Sequence, residues 1–242
     1  MLSSFELSNF IITCKYLPIS RAYLSNYLNI IFVADIFGRT EEFKALCQQI
    51  TSNIEQVLNL KNSVNVECHL IGPYQKQPKL FNSEQDAYQY FTKTVTLQGY
   101  VKHLKTELSK ISGINFLVGF SVGGSAVWQL CAENTAKQNV LATCFYSSQI
   151  RHMMQLTPNI ETRLILPISE EHFSVAEMCS VLQKKPNITI EQSRKLHGFM
   201  NALSPNYDSN AYQHYIKRLT DLLSIKYNQF ITEQSSTSTA AK

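Results

Sequence analysis

The sequence predicts an α/β domain built on a mostly parallel, helix-covered sheet of about seven strands, and three observations carry that expectation. Two strand-sized segments, 29–34 and 114–119, are almost wholly apolar, as strands buried on both faces are. Strand-like and helix-like patterns alternate along the chain. Three of only eight glycines fall within 119–124, where an apolar strand gives way to a helix.

Taken in order, the expected strands are 9–14, 29–34, 64–71, 114–119, 140–146, 162–168 and 187–192. Between 97 and 111 the apolar residues Leu97, Val101, Leu104, Leu108 and Ile111 recur at helical spacing. A last helix is expected over 209–227, burying Tyr215, Ile216, Leu219 and Leu223 among others. The segment 72–82 carries Pro73 and Pro78 and has no periodicity, which marks it as a loop able to shape a pocket. No linker or repeat interrupts the pattern, so one domain over 1–230 is expected. The polar, low-complexity end, 231–242, reads as a frayed tail.

Composition narrows the function. The chain has 242 residues, 44% hydrophobic and 17% charged, with 22 basic and 18 acidic residues for a net charge of +4. Its longest basic run is Lys184-Lys185, so nothing suggests a nucleic-acid partner. No apolar run approaches the roughly 18 residues of a membrane span. The opening residues, MLSSFELSNFIITCK, lack the pattern of a secretory signal. Six cysteines are spread out with no CxxC pair, which fits small core residues in a reducing cytoplasm rather than a metal site or a disulfide framework.

The glycine cluster lies in INFLVGFSVGGSAVWQL and places Ser121 at the tip of the turn. GxSxG is the pattern of a nucleophile elbow, in which a strained backbone lifts the serine hydroxyl clear of the sheet. Residues two before and two after the serine crowd the turn, so glycine fits there. The turn lacks the lysine of a P-loop and the spacing of a dinucleotide fingerprint.

A serine hydroxyl needs a base, and the base needs an orienting carboxylate. In elbow proteins the chain order is serine, acid, histidine. Four histidines follow Ser121: His152, His172, His197 and His214. His197 lies after the last strand and before the last helix, where the base is expected, with His172 as the alternative. No aspartate lies between Ser121 and His197, so the acid must be a glutamate. Glu170 and Glu171 stand at the carboxyl end of the sixth strand, the edge on which an open α/β sheet builds its site.

With these residues assembled, the chain resembles the dienelactone hydrolase family of α/β hydrolases over about 28–223. Four segments carry the resemblance: FVADIFG (32–38), GFSVGG (119–124), SEEHF (169–173) and HGF (197–199). The resemblance implies the α/β-hydrolase fold and cleavage of a small-molecule ester or lactone, with Ser121 as nucleophile, Glu171 as acid and His197 as base. In the family's acid segment the carboxylate is followed by one residue and then Phe, which is what selects Glu171. The resemblance further implies an oxyanion hole from the backbone N–H groups of Val122 and Ile36. Serine and glutamate stand here where the family's name-giving enzymes have cysteine and aspartate. Asp35 falls where the family often has a glutamate beside the nucleophile; as a merely structural residue it would cap the helix starting near Thr40. Such chemistry needs no metal and no organic cofactor.

Overall fold

The computed structural model describes residues 27–59, 65–75, 80–133 and 139–239. Six of the expected strands form: β1 (Tyr27–Val33), β2 (Asn65–Ile71), β3 (Ile114–Phe120), β4 (Asn139–Phe145), β5 (Glu161–Leu166) and β6 (Ile188–Gln192). The expected strand at 9–14 lies outside the described residues. Every pairing is parallel, and the strands lie in the order β2-β1-β3-β4-β5-β6. The chain therefore steps outward from β1 to β2, then crosses back to lay β3 on the other side of β1. That reversal opens a crevice at the carboxyl ends of β1 and β3, the place where open parallel sheets bind ligands.

Side-chain alternation on the central strands explains the two helical layers. Leu28, Ile30 and Phe32 of β1 face one way, with Phe116 and Val118 of β3. They are covered by α1 (Glu41–Asn59) and α6 (Ser209–Thr239). Ile31, Val33 and Leu117 face the other way, under α2 (Glu84–Thr94), α3 (Leu97–Leu108), α4 (Val122–Ala132) and α5 (Val175–Leu182). A 3-10 turn, Ser148–His152, follows β4. No helix among the described residues is long and apolar enough to cross a membrane.

α6 runs further than the sequence suggests. The stretch read as a frayed tail continues the helix through Thr239, with the Thr232 hydroxyl donating to Asn228 O and Ser236 to Thr232 O. No glycine or proline follows Pro205 to stop it. At its start the Asp208 carboxylate accepts the Ala211 N–H at 2.8 Å.

A row of amides crosses the amino end of the sheet. His69 on β2 bonds Asn29 Oδ1 at 3.1 Å, Asn29 Nδ2 donates to Asn115 Oδ1 at 2.9 Å, and Asn115 Nδ2 donates to Asn139 Oδ1 at 3.0 Å. All three asparagines are buried. The row depends on the register that pairs Asn29 with Asn115 and Asn115 with Asn139, because a one-residue slip would send an amide to the opposite face. Asn115→Ala strands the Asn139 carbonyl oxygen, so urea unfolding should show a loss of about 2–3 kcal/mol. A loss under about 0.5 kcal/mol would mean that the row contributes nothing to stability.

Candidate active site

Ser121 sits between β3 and α4 with φ 52° and ψ −119°, a left-handed conformation that is strained for any residue with a Cβ. The strain is held by bonds on both sides. Its N–H donates to Phe145 O at 2.9 Å, and its carbonyl accepts both the N–H and the hydroxyl of Ser125. The glycines around it leave no choice of residue. A Cβ at Gly119 would stand 2.5 Å from the Gly124 Cα, and one at Gly123 would stand 2.3 Å from the carbonyl oxygens of Val33 and Ala34. One at Gly124 would meet Ser147 Oγ at 2.0 Å. The first turn of α4 thus presses directly onto the end of β1.

His197 is brought to Ser121 from the far end of the sheet: Ser121 Oγ lies 2.9 Å from His197 Nε2. The ring packs against Tyr146, with centroids 5.0 Å apart, and Tyr146 packs on Phe199. Behind the ring the backbone turns through Gly198 at φ +84°, where a Cβ would meet Ser204 Oγ at 2.4 Å. The His197 carbonyl accepts from Asn206 Nδ2.

The carboxylate that meets the histidine is Glu170, not Glu171. Glu170 Oε1 lies 2.7 Å from His197 Nδ1, whereas Glu171 is exposed to solvent. The reason is where the strand stops. β5 ends at Leu166, so residue-by-residue alternation does not reach either glutamate. The loop is instead positioned by its neighbour, with the Ile168 N–H donating to Lys195 O at 2.8 Å and the Gln192 side chain donating to Ile168 O. Phe173, on which the family spacing was anchored, lies under the Arg151 guanidinium 5.0 Å away. With a proton on Nδ1 donated to Glu170, Nε2 is left to accept the Ser121 hydroxyl.

The two backbone donors expected from the sequence lie just beyond the carboxyl ends of neighbouring strands, Ile36 after β1 and Val122 after β3. Val122 opens α4, where the first N–H groups have no acceptor within the helix. Ile36 sits in a turn closed by the Gly38 N–H donating to Asp35 O at 3.1 Å, and its carbonyl accepts the Tyr74 hydroxyl at 2.7 Å. Tyr74 belongs to the stretch expected to shape a pocket, and it packs there against Phe81 and Tyr90.

Asp35 does not cap the following helix; Thr40 does, its hydroxyl oxygen accepting the Phe43 N–H at 3.2 Å. The Asp35 carboxylate is buried and accepts the Phe37 N–H at 2.9 Å and Asn201 Nδ2 at 2.7 Å. It lines a small cleft with Phe43, Phe120, Tyr146, Met200 and Asn201. Nothing in the sequence pattern pointed to Asn201 or Tyr146 as parts of the site.

No family model matches the chain, and no curated protein matches it. Solved structures do. A promiscuous phosphotriesterase similar to dienelactone hydrolases, from metagenomic libraries, superposes with a TM-score of 0.51 at 11% identity, over 83% of this chain and 85% of that one. An alpha-beta serine hydrolase homologue from Coxiella burnetii gives 0.49 at 11% identity, over 82% of this chain and 85% of that one. Sheet order, elbow and the likeness to the first of these define the chain as one with the α/β-hydrolase fold. At such identities the likeness speaks for the fold alone.

Burial pushes the Asp35 carboxyl up to about 6, against the opposing pull of its two hydrogen bonds and of His197. The folded protein therefore holds this proton at pH values where the unfolded chain, near 3.8, has released it. Raising the pH from about 4 to about 7 should cost the fold roughly 2 kcal/mol through this group alone. Urea unfolding of the wild type and of Asp35→Asn across that range should show their difference in stability shifting by this amount against the wild type. A constant difference would mean that the carboxyl is not desolvated.

Proposed function

We propose that the protein is a serine hydrolase that cleaves a small carboxylic ester or lactone, similar in mechanism to the dienelactone hydrolases. The observation that carries this reading is the continuous relay of Ser121 Oγ, His197 Nε2, His197 Nδ1 and Glu170 Oε1, with separations of 2.9 and 2.7 Å. In this reading Ser121 Oγ attacks the carbonyl carbon while His197 Nε2 takes its proton. The tetrahedral oxyanion accepts the N–H groups of Val122 and Ile36, and the α4 dipole favours the same negative charge. His197 then protonates the leaving alkoxide, which departs as the alcohol and leaves an acyl group on Ser121. Water, deprotonated by the same histidine, attacks the acyl carbon and releases the acid. Glu170 keeps Nδ1 protonated and stabilises the imidazolium in both half-reactions.

The five cysteines among the described residues are all free thiols, which supports action in a reducing cytoplasm.

The test is labelling with a fluorophosphonate probe followed by peptide mapping, together with hydrolysis of a simple neutral ester. Adduct is expected on Ser121 alone, and Ser121→Ala should lose turnover by roughly 10³-fold or more while remaining folded. Glu170→Gln should lose up to about 10⁴-fold, and Glu171→Gln should stay within a few-fold of wild type. Absence of adduct on the folded wild type would sink the enzyme reading. Reversed behaviour of the two glutamine variants would sink the assignment of Glu170.

A further inference from the structure

Asp35 and Asn201 are separated by 166 positions in the chain, yet they share a hydrogen bond of 2.7 Å, Asn201 Nδ2 donating to Asp35 Oδ2. Each end of that bond is anchored in a different half of the site. On one side, Asp35 Oδ1 accepts the Phe37 N–H and its carbonyl accepts the Gly38 N–H, so one residue fixes the turn that presents Ile36. On the other, Asn201 Oδ1 accepts the Leu203 N–H at 2.9 Å, and the Asn201 N–H donates to Gly198 O at 2.8 Å. Asn201 therefore fixes the loop that leaves His197. Described bonds join the Ser121 turn to β4 and the Glu170 loop to the strand that precedes His197, but the Ile36 turn meets the His197 loop through this pair.

We propose that Asp35 and Asn201 form a positioning pair that locks the His197 loop against the Ile36 turn, holding base and oxyanion donor at a fixed separation. The inference rests on the hydrolase reading above. Both residues act through others, Asp35 through the Ile36 turn and Asn201 through the His197 loop.

The choice of residue types supports a positioning role over simple packing. A buried carboxylate is costly, and burial raises the Asp35 carboxyl as described. A neutral asparagine at 35 would avoid that cost, but it could not complete the bonds. Its Oδ1 would take the Phe37 N–H, leaving its Nδ2 facing the Nδ2 of Asn201, donor against donor. Flipping the Asn201 amide to accept would turn its Nδ2 toward the Leu203 N–H, stranding a donor there. An aspartate at 201 fails in the opposite way, with two carboxyl groups facing each other. Both changes together restore every bond with the polarity of the bridge reversed: residue 35 accepts from Phe37 and donates to residue 201, which accepts from Leu203 as before.

The experiment is this reciprocal exchange, read by kcat and KM on a neutral ester and by the rate of fluorophosphonate labelling, well below each variant's Tm. Asp35→Asn and Asn201→Asp should each lower kcat by roughly 10- to 100-fold with little change in KM. The double variant should recover to within about fivefold of wild type. Should a single exchange fail to fold, Asn201→Ala removes the same bond from a partly exposed loop and should lose kcat by the same order. Labelling of wild-type Ser121 without recovery in the double variant overturns the positioning pair and leaves the hydrolase reading standing. Unchanged kcat in Asn201→Ala, or losses confined to KM, also overturn it. No labelling of the wild type overturns both.

Discussion

No side chain fits at positions 119, 123 or 124, and the rest of the site depends on that steric fact. Because these positions are bare, the first turn of α4 can press onto the carbonyls that end β1 while β3 runs up beneath it. The same closeness holds Ser121 in its left-handed conformation, with its hydroxyl lifted toward the crevice. A helix terminus, a strand end and the Ser121 hydroxyl are thereby gathered within one turn of chain. Only the histidine and its carboxylate must be brought from elsewhere, and the sheet order delivers them, since β5 and β6 follow β4 outward on the same side.

How the histidine is held shows a division of labour between apolar and polar contacts. A set of aromatic rings behind it fixes where the imidazole lies. Phe120 stacks on Phe145 at 5.1 Å, and Tyr146 and Phe199 pack edge to face at 5.3 Å. Rings resist displacement but do not choose which nitrogen faces the serine. Glu170 bears on that choice, because its carboxyl lies 2.7 Å from Nδ1, where it is placed to accept a proton held on that nitrogen.

Much of this was legible in the sequence, for reasons that are local. Apolar runs and helical spacing located six described strands and the α3 and α6 faces to within a few residues, because each pattern reflects burial of its own segment. The glycine turn was legible because its steric demands lie within six positions. What escaped was set by contacts distant in sequence. Glu170 stands four residues beyond the last strand residue, Leu166, where a bond from Ile168 to Lys195 decides the direction of the loop. The Asp35–Asn201 bond spans most of the chain, and neither residue belongs to a repeating pattern. The extension of α6 to Thr239 was not legible because Ser, Thr and Gln suggest a tail by composition, although nothing in that stretch breaks a helix already docked upstream.

The amide row at the amino end of the sheet has a kinetic consequence. Every strand pair among the described residues is parallel, so none of these closes through a tight hairpin, and β1 meets β3 only after about eighty intervening residues have found their place. Such a topology folds slowly, and its hazard is collapse with strands out of step. A purely apolar seam would tolerate a slipped partner, since one branched aliphatic side chain resembles the next. Asn29, Asn115 and Asn139 would not, because a strand out of step by one residue leaves buried amides unmatched, at a cost of roughly 1–3 kcal/mol each. The row thus penalises strands that pair out of step, and it lies at the opposite end of the strands from the Ser121, His197 and Glu170 cluster.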